Sequence, residues 1–210
     1  MIRKRTFLAV LLAASLLPAP ALAQSKTKVV ASFSILADIV GNIGGERIEV
    51  ASLVAPNSDA HVYNPSPADA RKLAEAKAVF VNGLGFEGWL DRLVKASGTK
   101  APTVVVTKGI KPIVRAAGGH THDHGSLGGH PRVDPHAWQD VANAKIYVDE
   151  IRDGLTRVDP DGAKIYEENA RAYLNALTAL DEEIVVPRHA GERGHPVGFP
   201  QRLFETMMTL

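Results

Sequence analysis

The sequence predicts an α/β fold: a parallel four-stranded sheet with flanking helices, followed by one long helix. Three observations carry this expectation. Short β-branched apolar runs alternate with stretches of helical periodicity through the first half of the chain. Glycine, proline and asparagine punctuate the junctions between them. An apolar seam of more than five helical turns follows over residues 166–184, too long to be absorbed by one small sheet.

Residues 28–33 form the first expected strand. Ile35, Ile39, Val40 and Ile43 then recur at helical spacing until Gly44-Gly45 stops them. A second strand is expected over 48–54. Ser66, Pro67 and Asp69 place an N-cap, a first-turn proline and a first-turn acid, and open a helix to about Ala76. Residues 78–81 are the third strand, closed by Asn82-Gly83. Phe86, Leu90 and Leu93 align on a helix over 86–97, and 103–106 is the fourth strand. This rhythm implies βαβ units. Residues 108–135 are rich in glycine and histidine and read as a long loop. Val141, Val148, Ile151, Leu155 and Val158 make the stripe of a helix that ends at Asp159-Pro160. Tyr166, Ala170, Tyr173, Leu177, Leu180 and Ile184 make the long seam. No internal repeat is visible. Residues 185–210 carry three prolines and three glycines without any period, as expected of a disordered tail.

Composition limits the chemistry. The 210 residues hold 24 Lys+Arg, 23 Asp+Glu and no cysteine. A net charge of +1 gives no general electrostatic reason to bind nucleic acid. Without thiols there is no disulfide, zinc finger or iron–sulfur cluster, so a transition-metal site must use His, Asp and Glu. Arg3-Lys4-Arg5, an apolar run over 7–17 and Ala21-Leu22-Ala23 form the three parts of a secretory signal peptide, residues 1–23. Its removal takes away three basic side chains and turns the net charge from +1 to −2. With no cysteine to carry a lipid anchor, the expected location is a periplasm.

Eight histidines are present, and four of them, His120, His122, His124 and His130, fall within eleven residues. Their glycine-rich surroundings offer donors without fixed geometry, which suits loose, auxiliary metal capture. His61 and His136 are different. Each lies in a loop after a strand, and in a parallel sheet such loops meet at one edge, where ligands bind. Two imidazoles at a shared edge are candidate metal ligands, short of the four that a tetrahedral site needs. Catalytic alternatives fare poorly. There is no H-E-x-x-H, Ser97 and Ser126 lack a nucleophile elbow, and neither Gly41-x-x-Gly44-Gly45 nor Asn82-Gly83-Leu84-Gly85 is a phosphate cradle. No general base is evident beside the histidines, so an enzyme is not expected.

Three motifs resemble one family. Asp59-Ala60-His61-Val62-Tyr63-Asn64-Pro65-Ser66-Pro67 is similar to the first ligand loop of the zinc- and manganese-binding periplasmic proteins of bacterial ABC importers. Val81-Asn82-Gly83-Leu84-Gly85-Phe86-Glu87-Gly88-Trp89-Leu90 resembles the segment after their third strand. Asp134-Pro135-His136-Ala137-Trp138 resembles their second ligand loop. The likeness runs from about Lys28 to Ile184 in the family's order, and a His-rich loop before the second ligand loop is typical of the zinc branch.

The resemblance implies two α/β lobes joined by a long helix, with metal held between them. On that pattern residues 24–160 form the first lobe with its His-rich loop at 118–130, residues 161–184 the linking helix, and residues 185–210 a tail outside the family pattern. His61 and His136 are the implied ligands of this lobe. Zn²⁺ is the implied cargo, with Mn²⁺ as the second candidate, and a membrane permease is the implied partner. A second lobe, which normally adds a histidine and a carboxylate, does not fit in 185–210. His189 and His195 do not match its ligand loop, so the chain reads as truncated, by a frameshift or an early stop. Two other roles are compatible with the residues: a His-rich periplasmic metal buffer or chaperone, and a non-functional fragment. Binding is expected to weaken in acid, since protons compete for imidazole near pH ~6.5.

Overall fold

The computed structural model describes residues 25–115 and 132–183, with the backbone of 188–189 and 192–193. The expected signal peptide, His120, His122, His124, His130 and His195 lie outside the described residues. Among the described residues no helix is long and apolar enough to cross a membrane.

Strand β1 (Thr27–Phe33) leads into helix α1 (Ser34–Gly44), a 3₁₀ turn (Gly45–Arg47) and β2 (Ile48–Val54). Helix α2 (Pro67–Glu75), β3 (Ala78–Val81), α3 (Leu90–Ser97) and β4 (Thr103–Val105) complete the unit. The four strands are parallel in the order β2-β1-β3-β4. From β1 the chain moves outward to β2, then crosses back over β1 to β3. Right-handed crossovers in opposite directions put α1 on one face and α2 and α3 on the other. Both faces of the central strands are therefore covered. Val29, Val30, Ala31, Phe33 and all of β3 are buried without alternation, as such strands require. The reversal leaves a switch point between the carboxyl ends of β1 and β3, where open α/β sheets bind ligands.

Helix α4 (Val141–Val158), a 3₁₀ turn (Pro160–Gly162) and α5 (Ala163–Glu183) follow. Both pack with α1, and α4 also lies on β3 and β4. That last approach depends on Gly154. A Cβ there would stand 2.8 Å from the Phe80 ring and 3.0 Å from a Val104 methyl. Alanine improves helix propensity by about 1 kcal/mol, but overpacking a filled core costs about 1–3 kcal/mol. Gly154→Ala is expected to lower the free energy of unfolding, measured by urea titration, by a net of about 1 kcal/mol; a rise would show that α4 has room to move outward.

Several expectations change. The helix expected over 86–97 begins only at Leu90, because residues 82–89 are occupied by a turn with other work, described below. The fourth strand ends at Val105. The long loop is not featureless: β5 (Val114–Arg115) pairs antiparallel with β6 (Arg132–Val133) and closes its base. In the tail, expected to lack structure, β7 (Arg188–His189) pairs with β8 (Glu192–Arg193). Of the α5 seam, Tyr166, Ala170 and Leu177 are buried in a helix that packs with α1 and α4, while Tyr173 and Leu180 are half-buried.

Candidate metal centre

His61 follows β2 and His136 precedes α4, 75 residues later in the chain, yet their Nε2 atoms face each other at 3.2 Å. Each histidine is held by the same local device. Asp59 Oδ1 accepts from the His61 backbone N–H at 2.8 Å, and Asp134 Oδ1 accepts from the His136 backbone N–H at 3.0 Å. An aspartate two residues before the histidine thus folds each loop into a side-chain-closed turn.

Asp134 does more. Its Oδ1 also lies 2.8 Å from His136 Nδ1. An ionised carboxylate can only accept, so Nδ1 carries the proton and the Nε2 lone pair points at His61. A carboxylate behind a histidine, fixing tautomer and ring orientation, is the usual support for an imidazole metal ligand. The sequence showed no general base beside the histidines; the structure does place a carboxylate there, engaged as a hydrogen-bond acceptor.

Around the pair lies an aromatic floor. The Phe86 ring is 4.9 Å from His61 and 5.0 Å from both Phe33 and Trp138. Trp138 in turn is 5.3 Å from His136. These rings approach edge to face or tilted, the arrangement that aromatic quadrupoles favour. The depression they line opens to solvent, and Ile35, Asp59 and Ala60 are part of its wall.

The His61 loop is tied down at both ends. Trp89 Nε1 donates to the Ala60 carbonyl at 2.8 Å in a buried contact. Tyr63 donates its hydroxyl to Asp69, which also accepts from the Ser66 hydroxyl and backbone N–H and from Lys72. Ser66 and Asp69 form a reciprocal capping box at the start of α2.

The turn after β3 is built around Glu87. Its carboxylate accepts from Ser32 Oγ at 2.6 Å and from the backbone N–H groups of Asn82 and Gly83 at 2.7 and 3.0 Å. This capture of backbone donors is why residues 82–89 do not form the first turns of α3. Gly83 adopts φ +83°, and Leu84 is held at φ +54°, a region that costs a side-chain-bearing residue about 1–2 kcal/mol. The distortion presents Phe86 beneath His61.

The chemistry available is coordination. Two donors bound to one tetrahedral ion at 2.0–2.1 Å lie about 3.3 Å apart, close to the observed separation. Among the described residues no group of three or more His, Cys, Asp or Glu is arranged to hold a metal.

Residues 29–186 match the family described as ZnuA, zinc-uptake complex component A, periplasmic. The chain belongs to the ZnuA family. Among its relatives, the manganese-binding lipoprotein MntA of Halalkalibacterium halodurans is 42% identical over 158 residues, 75% of this chain and 48% of MntA. The iron-binding protein YfeA of Yersinia pestis is 36% identical over 156 residues, 74% of this chain and 47% of YfeA. A crystal structure of ZnuA superposes with a TM-score of 0.67 at 30% identity, covering 78% of this chain and 62% of that one. A manganese-bound periplasmic metal-binding protein from Candidatus Liberibacter asiaticus gives 0.61 at 36% identity, covering 77% of this chain and 59% of that one. The chain spans about half the length of the curated relatives it matches. These relatives are named for manganese and iron and the family for zinc, so kinship alone does not choose the metal.

Within this ZnuA-family lobe, sequence reasoning singled out both histidines but missed Asp59, Asp134, Asn82 and Tyr147. The Asp-x-His spacing, present twice, was the available signal for the first two. Tyr147 was left out of the α4 stripe although it is fully buried.

Asp69 makes the His61 loop acid-sensitive. Burial alone would push its pKa up, but the donors from Ser66, Lys72 and Tyr63 outweigh that and hold the carboxyl well below the usual range. A carboxyl depressed on folding contributes stability above its unfolded pKa, about 3.9, and that contribution is lost as pH falls toward the folded value. Urea midpoints are therefore expected to drop below about pH 4 in the wild type and to drop less steeply in Asp69→Asn. Parallel acid profiles for the two proteins would remove Asp69 from the account.

Proposed function

We propose that this chain captures a divalent transition metal as cargo for an ABC importer, with Zn²⁺ the preferred ion and Mn²⁺ the second candidate. The observation that carries this is the pair of imidazole Nε2 atoms 3.2 Å apart, with one ring oriented by a carboxylate. Two neutral nitrogen donors and no described oxygen donor favour zinc over manganese, which prefers carboxylate and water and stands lower in the affinity order. The remaining coordination positions fall to water or to donors outside the described residues. The role is capture and release, with the Asp134 carboxylate beside the pair committed to His136. The location that fits this role is the periplasm, with delivery to a membrane permease.

Calorimetric titration of the chain with Zn²⁺ and with Mn²⁺, with and without residues 118–130, tests this. Zinc is expected to bind more tightly than manganese, and deleting the loop is expected to leave the tightest zinc site in place. Loss of that site with the loop would instead make the chain a His-rich buffer.

A further inference from the structure

Asn82 is completely buried at the end of β3, and each of its polar groups is engaged. Its Nδ2 donates to the Pro135 carbonyl at 2.9 Å and to the Gly83 carbonyl at 3.0 Å. Its Oδ1 accepts from the Tyr147 hydroxyl of α4. Its backbone N–H donates to Glu87 and its carbonyl accepts from Thr107 Oγ1 at 2.6 Å. Pro135 is the residue between Asp134 and His136. The side chain therefore reaches across 53 residues of sequence to the backbone of the turn that carries one histidine. None of these hydrogen bonds involves His61.

We propose that Asn82 is a positioning residue for metal capture. By holding the Pro135 carbonyl against the rigid end of β3, it sets the Asp134–His136 turn so that the His136 Nε2 stands opposite His61. Only an amide serves all three side-chain contacts. The two carbonyls need a donor and the Tyr147 hydroxyl needs an acceptor, and Tyr147 fixes which end is which. Aspartate has the same shape and keeps the acceptor, but it turns an oxygen toward two carbonyl oxygens. The Pro135 carbonyl then loses its tie and the turn shifts, taking the ring of His136 with it. Supports of this kind are worth about 10–100-fold in metal affinity.

This inference rests on the proposed metal capture, and its test separates the two. Zinc affinity is measured by chelator competition on the full chain in four forms: wild type, Asn82→Asp, His136→Ala and the double variant. The tautomer of the His136 ring is read in metal-free protein from long-range ¹H–¹⁵N spectra. Asn82→Asp is expected to weaken zinc binding about 10-fold on its own and to add nothing in the His136→Ala background. Its His136 ring signals should shift as the turn moves, and the His61 Nε2 signal with them, because the two nitrogens face each other at 3.2 Å in the wild type. Equal losses of affinity in both backgrounds, or an unchanged His136 spectrum, would overturn the proposal. A wild type that binds no zinc would sink the proposed function, and the metal-free spectra would still decide the role of Asn82. If Asn82→Asp does not fold, Tyr147→Phe, which frees the amide to turn over, carries the same comparison.

Discussion

His136→Ala is expected to weaken zinc binding by at least about 100-fold, a loss of roughly 3 kcal/mol or more. The estimate follows from preorganisation. With both rings present the second donor waits 3.2 Å from the first, so the ion gains its second bond without further ordering of the chain. Removing one ring leaves a single imidazole at an open surface, which binds metal only weakly. His61→Ala should behave alike, because neither ring has a substitute among the described residues. Asp134→Asn separates orientation from donation. An amide can present either oxygen or NH₂ to Nδ1, so the tautomer is no longer imposed, and about a 10-fold loss is expected. Chelator competition followed by absorbance measures all three. A His136→Ala protein with wild-type affinity would move the site elsewhere, most simply to the histidines of 120–130.

Asp159→Ala is the second large effect, and it falls on stability. Asp159 caps the end of α4, where the chain turns into α5. Its two oxygens accept from Arg47 Nε at 2.9 Å and from an Arg47 terminal nitrogen at 2.8 Å, and Oδ2 also accepts from the Tyr166 hydroxyl. The side chains of Arg47 and Asp159 retain only 17% and 11% of their exposure. Hydrogen bonding to Arg47 is the main force holding the Asp159 carboxyl below its ordinary range. The fork joins residues 112 apart, clamping the α4–α5 corner to the turn before β2. Deleting one half of a part-buried pair takes from the other charge the acceptors its pocket was built around, which costs far more than the pair itself contributes. Asp159→Ala should therefore lower the thermal midpoint by on the order of 10 °C. Replacing Arg47 and Asp159 together by methionine and leucine should recover much of that loss, since neither charge then remains in the corner. A double variant as unstable as the single one would assign the effect to helix capping instead.

Local signals on the fold were strong where one residue type does one job. Ser66-Pro67 marked the start of α2, and the short apolar runs of β1 and β3 marked strands of a parallel sheet. Such signals failed where side chains serve distant partners. Phe86, Leu90 and Leu93 have helical spacing, yet Glu87 spends its carboxylate on the backbone of residues 82 and 83, and Trp89 spends its indole on Ala60. A helix starting at Phe86 would have to give those up. The β5–β6 ladder has two residues a side, too few to show a period. At the site, strand-end position was enough to suggest that His61 and His136 share an edge. The Asp-x-His turns were written in the sequence twice but carry meaning only once the hydrogen bonds are seen. Asn82 could not be read at all, because what it holds lies 53 residues away.

Both tryptophans of the chain stand at this site, one beside each histidine loop. Trp138 lies 5.3 Å from the ring of His136, in a partly exposed position, and Trp89 is buried with its indole N–H on the residue before His61. The protein thus carries its own chromophores at the candidate metal centre. A paramagnetic ion such as Cu²⁺ or Mn²⁺ held between the histidines would dim the emission of Trp138, while diamagnetic Zn²⁺ would leave it bright and shift only its colour. Loading, release and exchange of one metal for another can then be followed in real time by light, with no label added.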